Sequence, residues 1–267
     1  ANDVIVLLQN ITENVTVSKN LTIDGDEFAY TGTMTISNGK TVTVQNVNFV
    51  KGCIDKAKGT SGTLTVMNCD FDGVDNSIDY AVTMRGGSSL TVEGCTGKNY
   101  NYGMVYVPSA VSNVSVKETT VEGVGYGVHV AYGSKVNIEN VTMANMAYGI
   151  GTQNYGAKTI TIKNSSISGT NPIYVWERNT TVVDTFKFEG NNTLSTLTSS
   201  AQAKLVLAAT DATLTAPAGY NVTSGVDNLE VIYKNGCYSL YGLSGSGAEE
   251  DPFLIYNLED LKFFRDH

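Results

Sequence analysis

The sequence predicts an all-β fold, a right-handed, single-stranded parallel β-helix that ends in irregular β-rich coils or a cap. Three observations carry this prediction. One strand-like segment recurs at least seven times at a spacing of 21 to 26 residues, and every copy alternates apolar and polar residues. A second strand-like segment then repeats in register with the first. Self-similarity at such a period is the mark of a solenoid, in which each unit buries its apolar face only against its neighbours.

The first column reads NLTIDGDEF from Asn20, TVTVQNVNF from Thr41, TLTVMNCDF from Thr63, SLTVEGCTG from Ser89, NVSVKETTV from Asn113, KVNIENVTM from Lys135 and TITIKNSSI from Thr159. An earlier NVTV at Asn14 is a partial copy. The period-2 alternation of a half-buried strand puts Leu21/Ile23, Val42/Val44, Leu64/Val66, Leu90/Val92, Val114/Val116, Val136/Ile138 and Ile160/Ile162 on one side. The second column reads YAVTM from Tyr80, YGMVYV from Tyr102, YGVHV from Tyr126, YGIGT from Tyr148 and NPIYV from Asn171. The gap after one of the two strands is too short for a packed helix, which excludes a βα solenoid. Two or three short strands per coil, each parallel to its own copy, fit instead, with crossovers of the right-handed kind.

The columns also assign individual residues. Val47, Cys69, Cys95, Thr119, Val141 and Ser165 occupy one small, buried position, so Cys69 and Cys95 read as core thiols. A disulfide along the axis is the alternative, because Cα atoms one coil apart lie within bridging range. Asn46, Asn68, Asn140 and Asn164 recur at the preceding corner, where Asn tolerates left-handed backbone. Glu93, Lys117, Glu139 and Lys163 alternate in sign on the outer face, a charge-neutralising ladder.

Three segments follow: repeats over 1–182, irregular final coils or a β cap over 183–244, and a linker with the start of a further module over 245–267. In the last of these, Asn257 reads as a helix N-cap with Glu259 and Asp260 in the first turn.

Composition narrows the partners. The formal charge is −9, charged residues are 16% of the chain and only three are Arg. No Lys/Arg cluster suits a phosphate backbone, so nucleic acid is excluded as a partner. A polyanionic sugar chain is disfavoured unless a cation bridges it. No apolar run reaches the length of a transmembrane helix, so membrane insertion is not expected. No signal-peptide pattern opens the chain, and Ala1 reads as the first residue of a mature or excised chain. The four Cys lack CxxC spacing and only two His are present, which argues against a zinc site. The many N-x-S/T sequons arise from alternating N-V-T strands.

The ladder over residues 14–182 resembles the right-handed β-helix superfamily named for pectate lyase, which implies a fold and no particular chemistry. The opening DVIVLLQNITENVTVSKNLTIDG resembles the first coils of large repetitive surface proteins of gut bacteria. The late APAGYNVTSGVDNLEVIYKNGCYSL and GSGAEEDPFLIYNLEDLKFF resemble segments that join modules in those proteins. These resemblances imply an extracellular chain attached to a bacterial cell surface.

A lyase of the pectate type needs acidic calcium ligands and an Arg or Lys base. Asp70, Asp72, Asp75 and Asp79, with Arg85 one strand later, are the candidates, but the run lacks the order of a calcium loop and reads as a solvated turn. A glycosidase needs two acids facing one groove. The outward positions of the second column are Thr83/Arg85, Val105/Val107, His129/Ala131, Gly151/Gln153 and Tyr174/Trp176, with no acid among them. His129 has no Ser or Asp partner at a motif spacing. The tyrosines at 80, 102, 126 and 148 share parity with Val82, Val128 and Ile150 and read as an inward or corner stack. Arg85, His129, Gln153, Tyr174 and Trp176 then form one outward strip, flanked by Tyr132 and Tyr155 on the turns, that suits the apolar faces and hydroxyls of sugars.

The expectation is a non-catalytic extracellular module for adhesion or spacing. It binds glycan or another host or bacterial surface polymer at Arg85, His129, Gln153, Tyr174 and Trp176, without cofactor or metal. A polysaccharide lyase or glycosidase is the alternative. An ice-binding solenoid, suggested by Thr41/Thr43, Thr63/Thr65 and Thr159/Thr161, is a remote one. Oligomeric state is open.

Overall fold

A computed structural model describes residues 3–132, 135–153 and 155–176, then the segments 184–189, 192–194, 197–199, 204–209, 214–215, 221–224, 230–234, 237–241, 248–250, 252–256 and 258–266. The chain winds as a right-handed parallel β-helix with three strand columns per coil. In the first column, Leu21–Asp24, Val42–Gln45, Thr63–Met67, the end of Tyr80–Glu93, Val111–Lys117, Lys135–Glu139, Thr159–Lys163 and Asp184–Glu189 pair in parallel, one coil on the next. A short column follows, with Asn48–Val50 on Asp70–Asp72, then Thr96–Lys98, Thr120–Glu122 and Thr142–Ala144. The third column stacks Met34–Ile36, Ile54–Lys56, Val82–Met84, Gly103–Val107, Tyr126–Val130 and Tyr148–Gln153.

The alternation does what the sequence predicts. Leu64, Val66, Leu90, Val92, Val114, Val116, Ile160 and Ile162 are fully buried, while Thr65, Thr91, Ser115 and Thr161 stand in register on the outer face. Asn137 and then Lys187 interrupt that outer Thr row. Between the first and second columns the backbone bends through a left-handed residue: Asn46 at φ 54°, Asn68 at 51°, Gly94 at 65°, Glu118 at 48°, Asn140 at 53° and Asn164 at 49°. Asn pays little for this conformation compared with other side chains, hence its recurrence at the corner. The residue after it turns inward, and Val47, Cys69, Cys95, Thr119, Val141 and Ser165 are all buried. Cys69 and Cys95 are free thiols. Their Sγ atoms lie 3.2 Å from the Met67 carbonyl and 3.3 Å from the Glu93 carbonyl.

Aromatic rings form the inward rungs of the second column in the early coils. Phe49 and Phe71 stack at 4.6 Å with planes 5° apart, and Tyr30 tilts against Phe49 at 5.5 Å. On the outer face Lys117 and Lys163 flank Glu139 at 3.7 and 2.9 Å, the expected charge ladder.

Within 183–244, Asp184–Glu189, Lys204–Ala209 and Asn221–Ser224 continue the first column in parallel, and Glu230–Lys234 and Cys237–Tyr241 then form an antiparallel hairpin. Leu258–Asp266 is a helix, and the Tyr256 amide donates to the Asp260 carboxylate at 2.7 Å. Asn257, the expected N-cap, lies outside the described residues. No helix among the described residues is long and apolar enough to cross a membrane.

Candidate functional site: an aromatic ladder on the third face

The register of the third column corrects the sequence alignment by one residue. Tyr80 pairs with Gly103, not Tyr102, and Gly103 pairs with Tyr126. The outward row is therefore Thr35, Asp55, Thr83, Tyr106, His129, Gly151 and Tyr174. Val105 and Val107, expected to face outward, are fully buried. A slip of one residue exchanges the two faces of a strand. The slip exposes two further corrections. An acid does stand in this row, Asp55. Tyr106 takes the outward place in its coil.

The tyrosines at 80, 126 and 148 are not core residues. They are half-buried; Tyr80 and Tyr126 open their strands, and Tyr148 lies within the strand Thr142–Gln153. Tyr102, displaced from the pairing register, is 51% exposed. Together with the outward row they build a continuous stack along the solenoid axis. Tyr80 stacks on Tyr106 at 4.5 Å, Tyr106 on His129 at 4.9 Å, His129 on Tyr126 at 4.3 Å and Tyr126 on Tyr148 at 4.6 Å. Tyr102 tilts against Tyr80 at 5.9 Å at one end, and Tyr174 against Tyr148 at 4.9 Å at the other. Gly151 makes room for this run: a Cβ there would stand 2.4 Å from the Tyr126 ring.

A groove of about 440 Å³ opens beside the stack, lined by Asp79, Tyr80, Thr83, Arg85, Tyr102, Tyr106, Tyr126 and His129. Arg85 and His129, both predicted from sequence, thus meet in one site. His129 is not the exposed side chain expected, however: the rings of Tyr80, Tyr106 and Tyr126 leave it 6% accessible. Burial pushes its pKa down to about 4, so the ring is neutral near pH 7. Its Nδ1 lies 3.1 Å from the Tyr80 hydroxyl. We assign the proton of the neutral ring to Nε2, which leaves Nδ1 to accept from the phenol. Burial also raises the pKa of Tyr80, Tyr106 and Tyr126, the last to about 12, so these phenols remain hydrogen-bond donors.

The Arg85 guanidinium is held by Asp55. Its Nε lies 2.9 Å from Oδ1 and its terminal nitrogen 3.1 Å from Oδ2. The groove's cation therefore arrives already neutralised. Asp79 accepts from the Asn101 amide at 3.1 Å. Gln153 is half-buried two residues beyond Gly151, in register with Trp176, and is not part of the groove. Trp176 ends its strand, and its side chain lies outside the described residues. Tyr132 and Tyr155 stack on each other at 5.0 Å, each about two-fifths exposed. The sequence reading missed Tyr80, Tyr106, Tyr126 and Asp55. The signal that marks Tyr80 and Tyr126 is the recurrence of Tyr at coil spacing, whereas the same recurrence, anchored on Tyr102, hides Tyr106.

The acidic run elsewhere is tied up internally. Asp70 accepts from the Thr96 hydroxyl, Asp72 from the Asn99 amide at 2.8 Å, and Asp75 pairs with Lys51 at 2.7 Å. Among the described residues no three His, Cys, Asp or Glu side chains come together as a metal site.

A family model described as a right handed beta helix region matches residues 107–213. That match and the three parallel columns define the class of the molecule as a right-handed parallel β-helix. No curated protein and no solved structure matches the chain.

Proposed function

We propose that the chain is a non-catalytic, extracellular module displayed on a bacterial cell surface, and that it binds a neutral glycan in the groove beside the tyrosine stack. The observation that carries this reading is the stack itself, which runs from Tyr102 to Tyr174 across successive coils with polar side chains at its edge. Rings stacked on both sides offer edges and phenol hydroxyls to a ligand. Tyr102, tilted by 36° and half exposed, offers an open face for the apolar side of a sugar ring. The cation of the groove is paired with Asp55, Asp79 is acidic and the chain carries −9, all of which favour a neutral polyol over a polyanion. The cell-surface placement rests on the resemblance of the terminal segments. Asp55 is spent on Arg85, which disfavours a pair of free carboxylates and so supports binding over hydrolysis.

The test is a glycan array on the wild-type chain, followed by titration of the best neutral oligosaccharide against Tyr102→Ala. At least a tenfold loss of affinity, about 1.4 kcal/mol, is expected. Absence of binding to every glycan reduces the module to a spacer. Release of new reducing ends or unsaturated products from polysaccharides would overturn the non-catalytic reading.

A further inference from the structure

Far from the groove, Lys158 and Asp184 form an ion pair in which both side chains have no solvent exposure, whereas every other ion pair among the described residues is substantially exposed on both sides. Lys158 immediately precedes the strand Thr159–Lys163, and Asp184 opens the strand Asp184–Glu189 one coil on, where Thr159 pairs with Thr185. The two side chains are thus adjacent rungs at one position of stacked coils. Lys158 Nζ is 3.3 Å from Asp184 Oδ1 and donates to the Gly156 carbonyl at 2.8 Å. The Lys158 backbone N–H also donates to Oδ1, at 3.2 Å. The other oxygen, Oδ2, is buried and has no hydrogen-bond partner among the described residues.

An ionised pair is poorly served by such a seat, because a carboxylate out of water needs donors on both oxygens. Transfer of one proton from the ammonium to the carboxylate would remove both charges, and burial lowers the Lys158 pKa in the direction that favours this. The two groups would then be an amine and a carboxyl without charge, side by side and both without solvent exposure. We propose that Lys158 and Asp184 are joined by an intramolecular amide bond between Nζ and Cγ, a covalent tie from one coil to the next.

The chemistry balances without a further reactant. The Nζ lone pair attacks Cγ, and the negative charge gathers on Oδ1, where the Lys158 N–H already points as an oxyanion donor. The Cγ–Oδ2 bond then breaks. Oδ2, carrying the first proton, takes a second from nitrogen and leaves as water, and nitrogen keeps one hydrogen in the amide. Held reactants of this kind reach effective concentrations of roughly 10⁵–10⁸ M, and the lack of solvent exposure of both side chains opposes the reverse hydrolysis.

The experiment is the intact mass of the purified full chain under denaturing conditions. The expected mass is that of the sequence less one water, and proteolysis should yield a branched peptide joining the segments that contain residues 158 and 184. Lys158→Gln should restore the full mass. A wild-type chain at its full sequence mass overturns the proposal. So does a water loss confined to the Asp184 peptide, which would be cyclisation onto its own backbone.

Discussion

Lowering the pH from 7 to 4 should cost the fold about 3 kcal/mol through His129 alone. The ring is 6% accessible and its pKa sits at about 4 in the folded chain, against 6.5 when unfolded. Folding therefore favours the neutral form. Between pH 6.5 and 4 the unfolded chain binds more protons than the folded one, so stability rises with pH across that window. The contribution is complete above 6.5, declines as pH falls, and is gone below 4. A separation of about 2.5 pH units at 1.36 kcal/mol per unit gives the magnitude.

Two structural features resist protonation. The three tyrosine rings around His129 shut out water, and Nδ1 serves as acceptor for Tyr80, a role that imidazolium cannot fill. Carboxylates titrate in the same range, so the measurement is a difference. Urea unfolding of wild type and His129→Phe, which keeps a ring in the stack, should converge by about 3 kcal/mol between pH 7 and 4. The chain has two His in all, so ring-proton NMR titration reads His129 directly. A midpoint near 6.5 would refute the buried, neutral ring and with it the packed ladder.

Phe71→Ala should lose about 3–5 kcal/mol in urea unfolding, because the ring is buried and stacked flat on Phe49, whereas Phe71→Leu should lose far less. At the corner, Asn68 sits at φ 51°, so Asn68→Ala should cost about 1–2 kcal/mol of melting stability while Asn68→Gly stays near wild type. Cys69 and Cys95 are fully buried, and Cys69 is held protonated by its hydrogen bond with Cys95 and by burial. Thiol reagents should modify neither until denaturant unfolds the coils; fast labelling at Cys69 or Cys95 in the native chain, read by peptide mass, would contradict the core assignment. Tyr126→Ala removes a ring stacked on both faces and should cost about 1–3 kcal/mol at roughly 0.5–1.5 per aromatic contact, read by thermal melting.

Much of the fold is legible in the sequence because each coil repeats the same physical demand. Leu21, Val42, Leu64, Leu90 and Val114 occupy one inward column, so seven weak period-2 patterns reinforce one another. The candidate site is harder to read because its strand column offers a choice of register. The segment YGMVYV admits two registers; anchoring it on Tyr102 hides Tyr106, and only the pairing of Tyr80 with Gly103 resolves the choice. Asp55 escaped notice for a different reason. Its strand carries Lys56 at an inward position, in register with Ile36 and Met84 and without solvent exposure. The Lys56 ammonium reaches the Ser37 carbonyl at 3.3 Å. A lysine in the core column breaks the alternation that would have marked the strand. His129 stands on the outward face that the alternation predicts, but no pattern in the chain says that rings from neighbouring coils will cover it.

The ladder also separates two roles that a row of tyrosines on a β-helix combines. Each inner ring has spent its faces on its neighbours, so its contribution is to couple successive coils, and its removal weakens the scaffold as well as any site on it. Tyr102 stands outside that arrangement. It is tilted, half exposed and displaced from the strand register by the paired amides of Tyr102 and Gly103, which both donate to the Asp79 carbonyl at 2.9 Å. A ligand that needs an aromatic face finds it there, at the end of the stack and beside Asp79. A ligand that needs only hydroxyl partners meets the phenol edges along the groove. Loss of affinity in Tyr102→Ala with unchanged melting would therefore locate binding at the end of the ladder, and would leave the inner rings to hold the coils together.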